Sequence, residues 1–238
     1  MTPEEVLGRP VVLVHGTRTS SAIWSGQAAA LAAHGHPVHA IDLPGHGTRS
    51  GERLTRRGAL EAIDAAVRGC EVPPLLVGLS LGGYLCLAYA AAGGDHLAGV
   101  VLAGCSTQLR GKPLRAYREL SRYVTRTFGL GGGTWHVVTD MLTTLAGYSP
   151  LDDLRRLTVP VWVVNGRRDP LRFDEWRYRR AVPGLRVHVV PGAGHDVNSE
   201  HPVAFNRLLL DVVHGLRPVA VPPPDVPGGT RPDDGARP

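Results

Sequence analysis

Six short apolar segments, each followed by a turn residue and separated by stretches of helical character, constrain this 238-residue chain more than any other feature. Val11–Val14, Val38–Ile41, Leu75–Leu79, residues 100–103, residues 161–164 and Arg186–Val190 are rich in β-branched residues and end near Gly, Pro or Asn, the marks of strands. Their apolarity is nearly continuous rather than alternating, as in parallel strands covered on both faces. Residues 22–33, 60–67, 82–92, 171–181 and 202–215 read as helices. The alternation predicts an α/β fold: one mostly parallel sheet of about six strands, flanked by helices on both faces.

Two regions break the rhythm. Between Gly104 and Thr158 no strand is evident, but Tyr117, Tyr123, Phe128, Trp135 and Tyr148 occur among helical patterns, with a glycine run at Gly131–Gly133. An insertion of that length predicts an additional helical layer rather than a bare loop. From about Arg217 the chain reads RPVAVPPPDVPGGTRPDDGARP, which has little to bury. Residues 217–238 are therefore expected to be disordered, and residues 1–216 to form one domain.

Composition excludes several classes. The net charge of +5 is mild, and the basic residues, all arginine except Lys112, form no dense stripe for nucleic acid. Cys70, Cys86 and Cys105 are too few for a disulfide framework, and the last two lie in apolar runs that suit buried small hydrophobes. The start, MTPEEVLGRP, has acids where a secretory signal has bases, and no apolar run reaches the roughly 18–20 residues of a membrane span. A soluble cytoplasmic protein is expected, with a small-molecule substrate and neither nucleic acid nor membrane as partner. Oligomeric state is not legible.

The strongest chemical signal is Gly78-Leu79-Ser80-Leu81-Gly82, directly after a strand and directly before an Ala/Leu-rich helix. A sharp strand-to-helix turn lifts the serine clear of the sheet, requires small residues two positions to either side, and aims the helix N–H groups at the same point. A serine hydroxyl needs a base within reach. His195, in Pro191-Gly-Ala-Gly-His195-Asp196, follows the last strand in a glycine-rich loop. An acid must orient that imidazole, and Asp169 follows the fifth strand in Asn165-Gly-Arg-Arg-Asp169-Pro170, with Asp196 and Asp174 as fallbacks. The order Ser80, Asp169, His195 is nucleophile, acid, base. Oxyanion donors are expected from the backbone N–H of Leu81 and from that of Thr17, in the turn after the first strand.

His15-Gly-Thr17, Trp24, Asp42-Leu-Pro-Gly-His-Gly47, the GLSLGG of residues 78–83, the NGRRDP of 165–170 and the GAGHD of 192–196 together resemble the α/β-hydrolase superfamily, in its serine-nucleophile esterase, lipase and thioesterase-like branch. The resemblance spans roughly residues 10–215. It implies Ser80, Asp169 and His195 as a catalytic triad, Thr17 and Leu81 as the oxyanion hole, and a short helical cap at about residues 105–150. The chain departs from the superfamily in starting almost at the first HG-bearing strand, so the usual N-terminal hairpin is expected to be missing.

Other signals weigh less. His34, His36 and His39 lack a matching ligand set, and no metal site is expected. His15 and His46 read as structural. Arg110, Arg115, Arg118, Arg122 and Arg126 read as a solvated face of the inserted layer, with docking of an acidic partner or of an anionic substrate group, such as a carrier-bound phosphopantetheine, as the sharper alternative. Arg18, Trp24 and Tyr148 are candidate substrate contacts. With no nucleotide, flavin or metal motif, no cofactor is expected. The leading expectation is a hydrolase of a small ester, thioester or lactone through an acyl-enzyme. The alternatives are C–C cleavage, acyl transfer or cyclisation on the same scaffold, or a ligand-binding receptor.

Overall fold

The computed structural model describes residues 8–93, 96–111 and 135–216. Its six strands are β1 (Val11–Val14), β2 (Val38–Ile41), β3 (Leu75–Leu79), β4 (Gly99–Ala103), β5 (Val161–Gly166) and β6 (Arg186–Val190). They form one sheet in the order β2-β1-β3-β4-β5-β6, and every neighbouring pair is parallel. Because β2 and β3 lie on opposite sides of β1, the connections part there. That opens a crevice at the C-terminal ends of β1 and β3, where parallel sheets of this kind bind ligands.

Among the described residues the α-helices are α1 (Ser25–Ala33), α2 (Arg56–Arg68), α3 (Leu81–Gly93), α4 (Trp135–Thr144), α5 (Pro150–Arg156), α6 (Glu175–Ala181), α7 (Val197–Glu200) and α8 (Pro202–Gly215). Side-chain alternation along the strands divides the interior in two. Val11, Leu13, Leu75, Val77 and Leu79 pack against Trp24, Leu31, Phe205 and Leu209, under α1 and α8. Val12, Val14, Leu76 and Val100 face the other way, onto Ala59, Ile63, Leu85, Leu151 and Tyr178. The central strands are thus buried on both faces, which is why they read as unbroken apolar runs.

Two helix starts differ from expectation. α2 begins a turn before residue 60 because Thr55 caps it, accepting from the Gly58 N–H at 3.1 Å. α6 begins after residue 171 because the Leu171 N–H is taken by the Asp169 carboxylate and the Asp174 N–H by the Ser106 carbonyl. Of the inserted layer, α4 and α5 are described. Residues 112–134, with Tyr117, Tyr123, Phe128, Arg115, Arg118, Arg122, Arg126 and Gly131–Gly133, lie outside the described residues, as does the expected disordered tail, 217–238. Arg53 forms a two-pronged ion pair with Asp140 of α4, tying that helix to the segment before α2. Among the described residues no helix is long and apolar enough to cross a membrane. Nor do three His, Cys, Asp or Glu side chains converge there as metal ligands. Cys86 and Cys105 are buried free thiols.

Candidate active site

Ser80 occupies the turn between β3 and α3 with φ of 54°, a left-handed conformation that costs a serine roughly 1–3 kcal/mol. The flanking glycines make that turn sterically feasible. A Cβ on Gly78 would lie 2.5 Å from the Gly82 carbonyl carbon, and one on Gly82 would lie 2.3 Å from the Val14 carbonyl oxygen. The Ser80 N–H donates to the Ala103 carbonyl at the end of β4, at 2.8 Å. Leu81 opens α3, so its N–H belongs to the unpaired first turn of the helix.

Asp169 and His195 meet across the ends of β5 and β6. Both carboxylate oxygens lie 3.1 Å from His195 Nδ1. The Asp169 side chain is wholly enclosed, whereas that of His195 is 29% exposed. This pairing selects the tautomer with hydrogen on Nδ1 and leaves Nε2 for proton exchange. The hydrogen bond to Asp169 raises the His195 pKa above the ordinary histidine value, against the opposing effect of burial. The two loops are joined by backbone bonds as well, from the Arg167 N–H to the Val190 carbonyl and from the Arg168 N–H to the Ala193 carbonyl. Of the fallback acids, Asp174 is buried and accepts from the Gln108 N–H, and Asp196 is exposed at the start of α7.

β4 connects the pair to Ser80. Ala103 accepts from the serine N–H, and the next residue, Gly104, lies against the imidazole: a Cβ there would be 3.2 Å from His195 Cε1. No hydrogen bond joins Ser80 Oγ to His195 among the described residues, and apo sites commonly tighten only when substrate is bound.

The turn after β1 closes the other side. A Cβ on Gly16 would lie 3.4 Å from Ser80 Cβ, so this backbone runs beside the serine. His15 holds it there: Nδ1–H donates to the Gly16 carbonyl at 2.7 Å, and Nε2 accepts from the Leu43 N–H at 3.0 Å. Burial lowers the His15 pKa to about 4, keeping the ring neutral as this double role requires. Thr17 Oγ1 donates to Met141 Sδ of α4 at 2.8 Å, which brings the inserted layer onto the turn. Asp42 fastens the same region by accepting from the Ser21 N–H and from the Thr48 N–H and hydroxyl.

The three candidate substrate contacts are placed in three different settings. Trp24 is not at the site. The 3₁₀ turn Ser21–Trp24 points it into the core under α1, fully buried, 6.0 Å from the Phe205 ring. Tyr148 is nearly buried, with its ring edge-on to Tyr84 and the Arg56 guanidinium 4.9 Å above its centre. It supports the inserted layer through packing. Arg18 is exposed and follows Thr17 with φ of 62°. A buried polar group escaped the sequence reading: Asn165 bonds Ser106 and Glu175, tying the ends of β4 and β5 to α6. Its one signal was an asparagine ending an apolar strand.

The sequence model of the alpha/beta hydrolase family matches residues 11–208. An esterase of Mycobacterium tuberculosis is 26% identical over 252 residues, covering 87% of this chain and 82% of its own. A pimeloyl-[acyl-carrier protein] methyl ester esterase of Neisseria meningitidis is 27% identical over 247 residues, covering 87% of this chain and 78% of its own. Among solved structures, a thermophilic esterase from Thermogutta terrifontis superimposes with a TM-score of 0.72 at 24% identity, covering 87% of this chain and 90% of the other. The chain belongs to the alpha/beta hydrolase family.

Proposed function

We propose that this enzyme is a cofactor-independent serine hydrolase of small esters, thioesters or lactones, with Ser80 as nucleophile, His195 as general base and Asp169 as the acid that orients it. Ser80 Oγ attacks the substrate carbonyl carbon as its proton passes to His195 Nε2. The N–H groups of Thr17 and Leu81 receive the developing oxyanion. The intermediate collapses, the leaving group takes the proton from His195, and a water activated by the same imidazole releases the acyl group from Ser80. The named activities of the two relatives described above, an esterase and a methyl ester esterase, support ester hydrolysis as the reaction.

The observation that carries this reading is the left-handed Ser80, held by its strand-to-helix turn at the sheet end where Asp169 and His195 are paired. Labelling with a serine-directed fluorophosphonate, read by intact mass on wild type and Ser80→Ala, tests it. A single adduct on wild type and none on the variant is expected. A folded wild type that takes no adduct would overturn the assignment.

A further inference from the structure

The loop carrying His195 is held by an acidic side chain that takes no part in the reaction outlined above. Glu200, the last residue of α7, turns back so that Oε2 accepts from the Gly194 N–H at 2.6 Å and Oε1 from the Asp196 N–H at 3.2 Å. These donors flank His195, so one carboxylate spans the residues before and after the imidazole. An anion in a concavity of nearby backbone N–H groups makes charge-assisted bonds, here one to each oxygen. A Cβ on Gly194 would lie 2.8 Å from Glu200 Oε1, so a side chain there would push the carboxylate away. On the other side of the loop, the Ala193 carbonyl accepts from Arg168 N–H, beside Asp169. His195 therefore stands between two anchors.

We propose that Glu200 is a positioning residue for His195, fixing the loop through the N–H groups of Gly194 and Asp196 so that Nδ1 stays on Asp169 and Nε2 stays directed to the nucleophile. This rests on the reading of His195 as the general base. Capping of α7 accounts for the bond to Asp196. It does not account for the bond to Gly194, which lies beyond the helix on the far flank of the base. The charged groups facing the imidazole are Asp169 from the β5 loop, Asp196 beside it and Glu200 from α7, all of which favour its protonated form. Gly104, at the end of β4, adds no charge.

The test compares wild type, Glu200→Ala and Glu200→Gln by kcat and KM on p-nitrophenyl butyrate, the pH profile of kcat/KM, thermal unfolding, and NMR titration of the His195 ring. Glu200→Ala is expected to lose about ten- to hundredfold in kcat with KM within about threefold, since small misplacement of a reacting group has effects of that size. Its acid limb and its His195 titration should move to lower pH. Glu200→Gln keeps an oxygen acceptor and should recover part of kcat. A folded Glu200→Ala with kcat within about twofold of wild type and an unmoved His195 titration overturns the proposal. If Glu200→Ala does not fold, the same result in Glu200→Leu, which fills the space but accepts no hydrogen bond, overturns it. The ring titration needs no turnover. If wild type neither takes fluorophosphonate nor cleaves the ester, the hydrolase reading falls; the downfield NMR resonance of the His195 Nδ1–H bonded to Asp169 then tests positioning by itself, its loss or upfield shift in Glu200→Ala supporting the proposal and an unchanged resonance overturning it.

Discussion

Asp169 presents both carboxylate oxygens to His195 Nδ1 at 3.1 Å while accepting the Leu171 N–H at 2.8 Å. One enclosed carboxylate thus sets the ring's tautomer and its own loop. Asp169→Asn keeps the shape but offers an amide donor where Nδ1–H needs an acceptor, so it favours the wrong tautomer. The expected result is a fall in kcat of about 10⁴-fold with the fold intact, since this is the cost when an orienting aspartate becomes asparagine. The His195 pKa should also fall, because the Asp169 bond is the largest influence raising it. Steady-state kinetics and an NMR titration of the ring check both. Activity within about tenfold of wild type would remove Asp169 from the triad.

The glycines around the site make separable predictions. Gly82→Ala sets a methyl against the Val14 carbonyl oxygen, a backbone atom that cannot step aside cheaply. It should destabilise by about 1–3 kcal/mol, as overpacking does, and disturb the Ser80 turn as well. Gly104→Ala meets the His195 ring instead, at a φ of 60°. It should cost roughly 1–2 kcal/mol from the left-handed backbone and also lower kcat by displacing the base. Urea unfolding and kcat check both losses, and NMR of the His195 ring, displaced by Gly104→Ala and not by Gly82→Ala, distinguishes the two. A fully stable, fully active Gly104→Ala would show that the β4 end does not support His195.

Much of this arrangement was legible because strand ends carry both burial and chemistry. β1, β2, β3 and β6 were read to the residue, since the apolar runs stop where the chain leaves the sheet. Asp169 and His195 were legible because each sits just past such an end. Trp24 was misread because a sequence shows that an aromatic will be buried, not whether ligand or core will bury it. Glu200 gave no signal: it acts on backbone N–H groups, which carry no sequence pattern. The start of α6 differs for another reason: a local bond to the Asp169 carboxylate takes the Leu171 N–H, and a tertiary bond to the Ser106 carbonyl takes that of Asp174, both of which helical periodicity would assign to the helix.

Acid should weaken the fold in two adjoining windows. His15 has its pKa lowered from 6.5 to about 4 by burial, so the unfolded chain binds more protons between those values and stability falls as pH drops through them. A shift of that size amounts to about 3 kcal/mol. For Asp42, burial alone would raise the pKa, but the bonds from Ser21 and Thr48 outweigh it and bring it from 3.8 to about 2. Its contribution, about 2 kcal/mol, is present above pH 3.8 and lost as pH falls towards 2. His195, with a raised pKa, acts in the opposite sense and above 6.5, outside both windows. Urea-unfolding free energies between pH 7 and 2 are expected to show both declines, with His15→Gln making the upper one shallower and Asp42→Asn the lower; His36, His46 and His188, whose pKa values burial also lowers, retain part of the upper slope. An upper slope unchanged by His15→Gln would mean that His15 is not held neutral.

Thr17 separates a backbone oxyanion donor from a side-chain one. Its hydroxyl is already directed to Met141 Sδ at 2.8 Å, whereas its N–H lies in the turn that Gly16 brings beside Ser80. Thr17→Val keeps the branched shape and the N–H and removes only the hydroxyl. If the main chain holds the oxyanion, kcat should stay within about threefold of wild type, against the 10²–10³-fold that loss of an oxyanion donor costs. Met141→Ala provides the control, because it frees the Thr17 hydroxyl without touching the turn. A loss of about hundredfold in Thr17→Val alone would transfer the donor role to the hydroxyl. The Met141 contact would then be a resting arrangement that substrate must displace, and Met141→Ala should raise kcat rather than leave it unchanged.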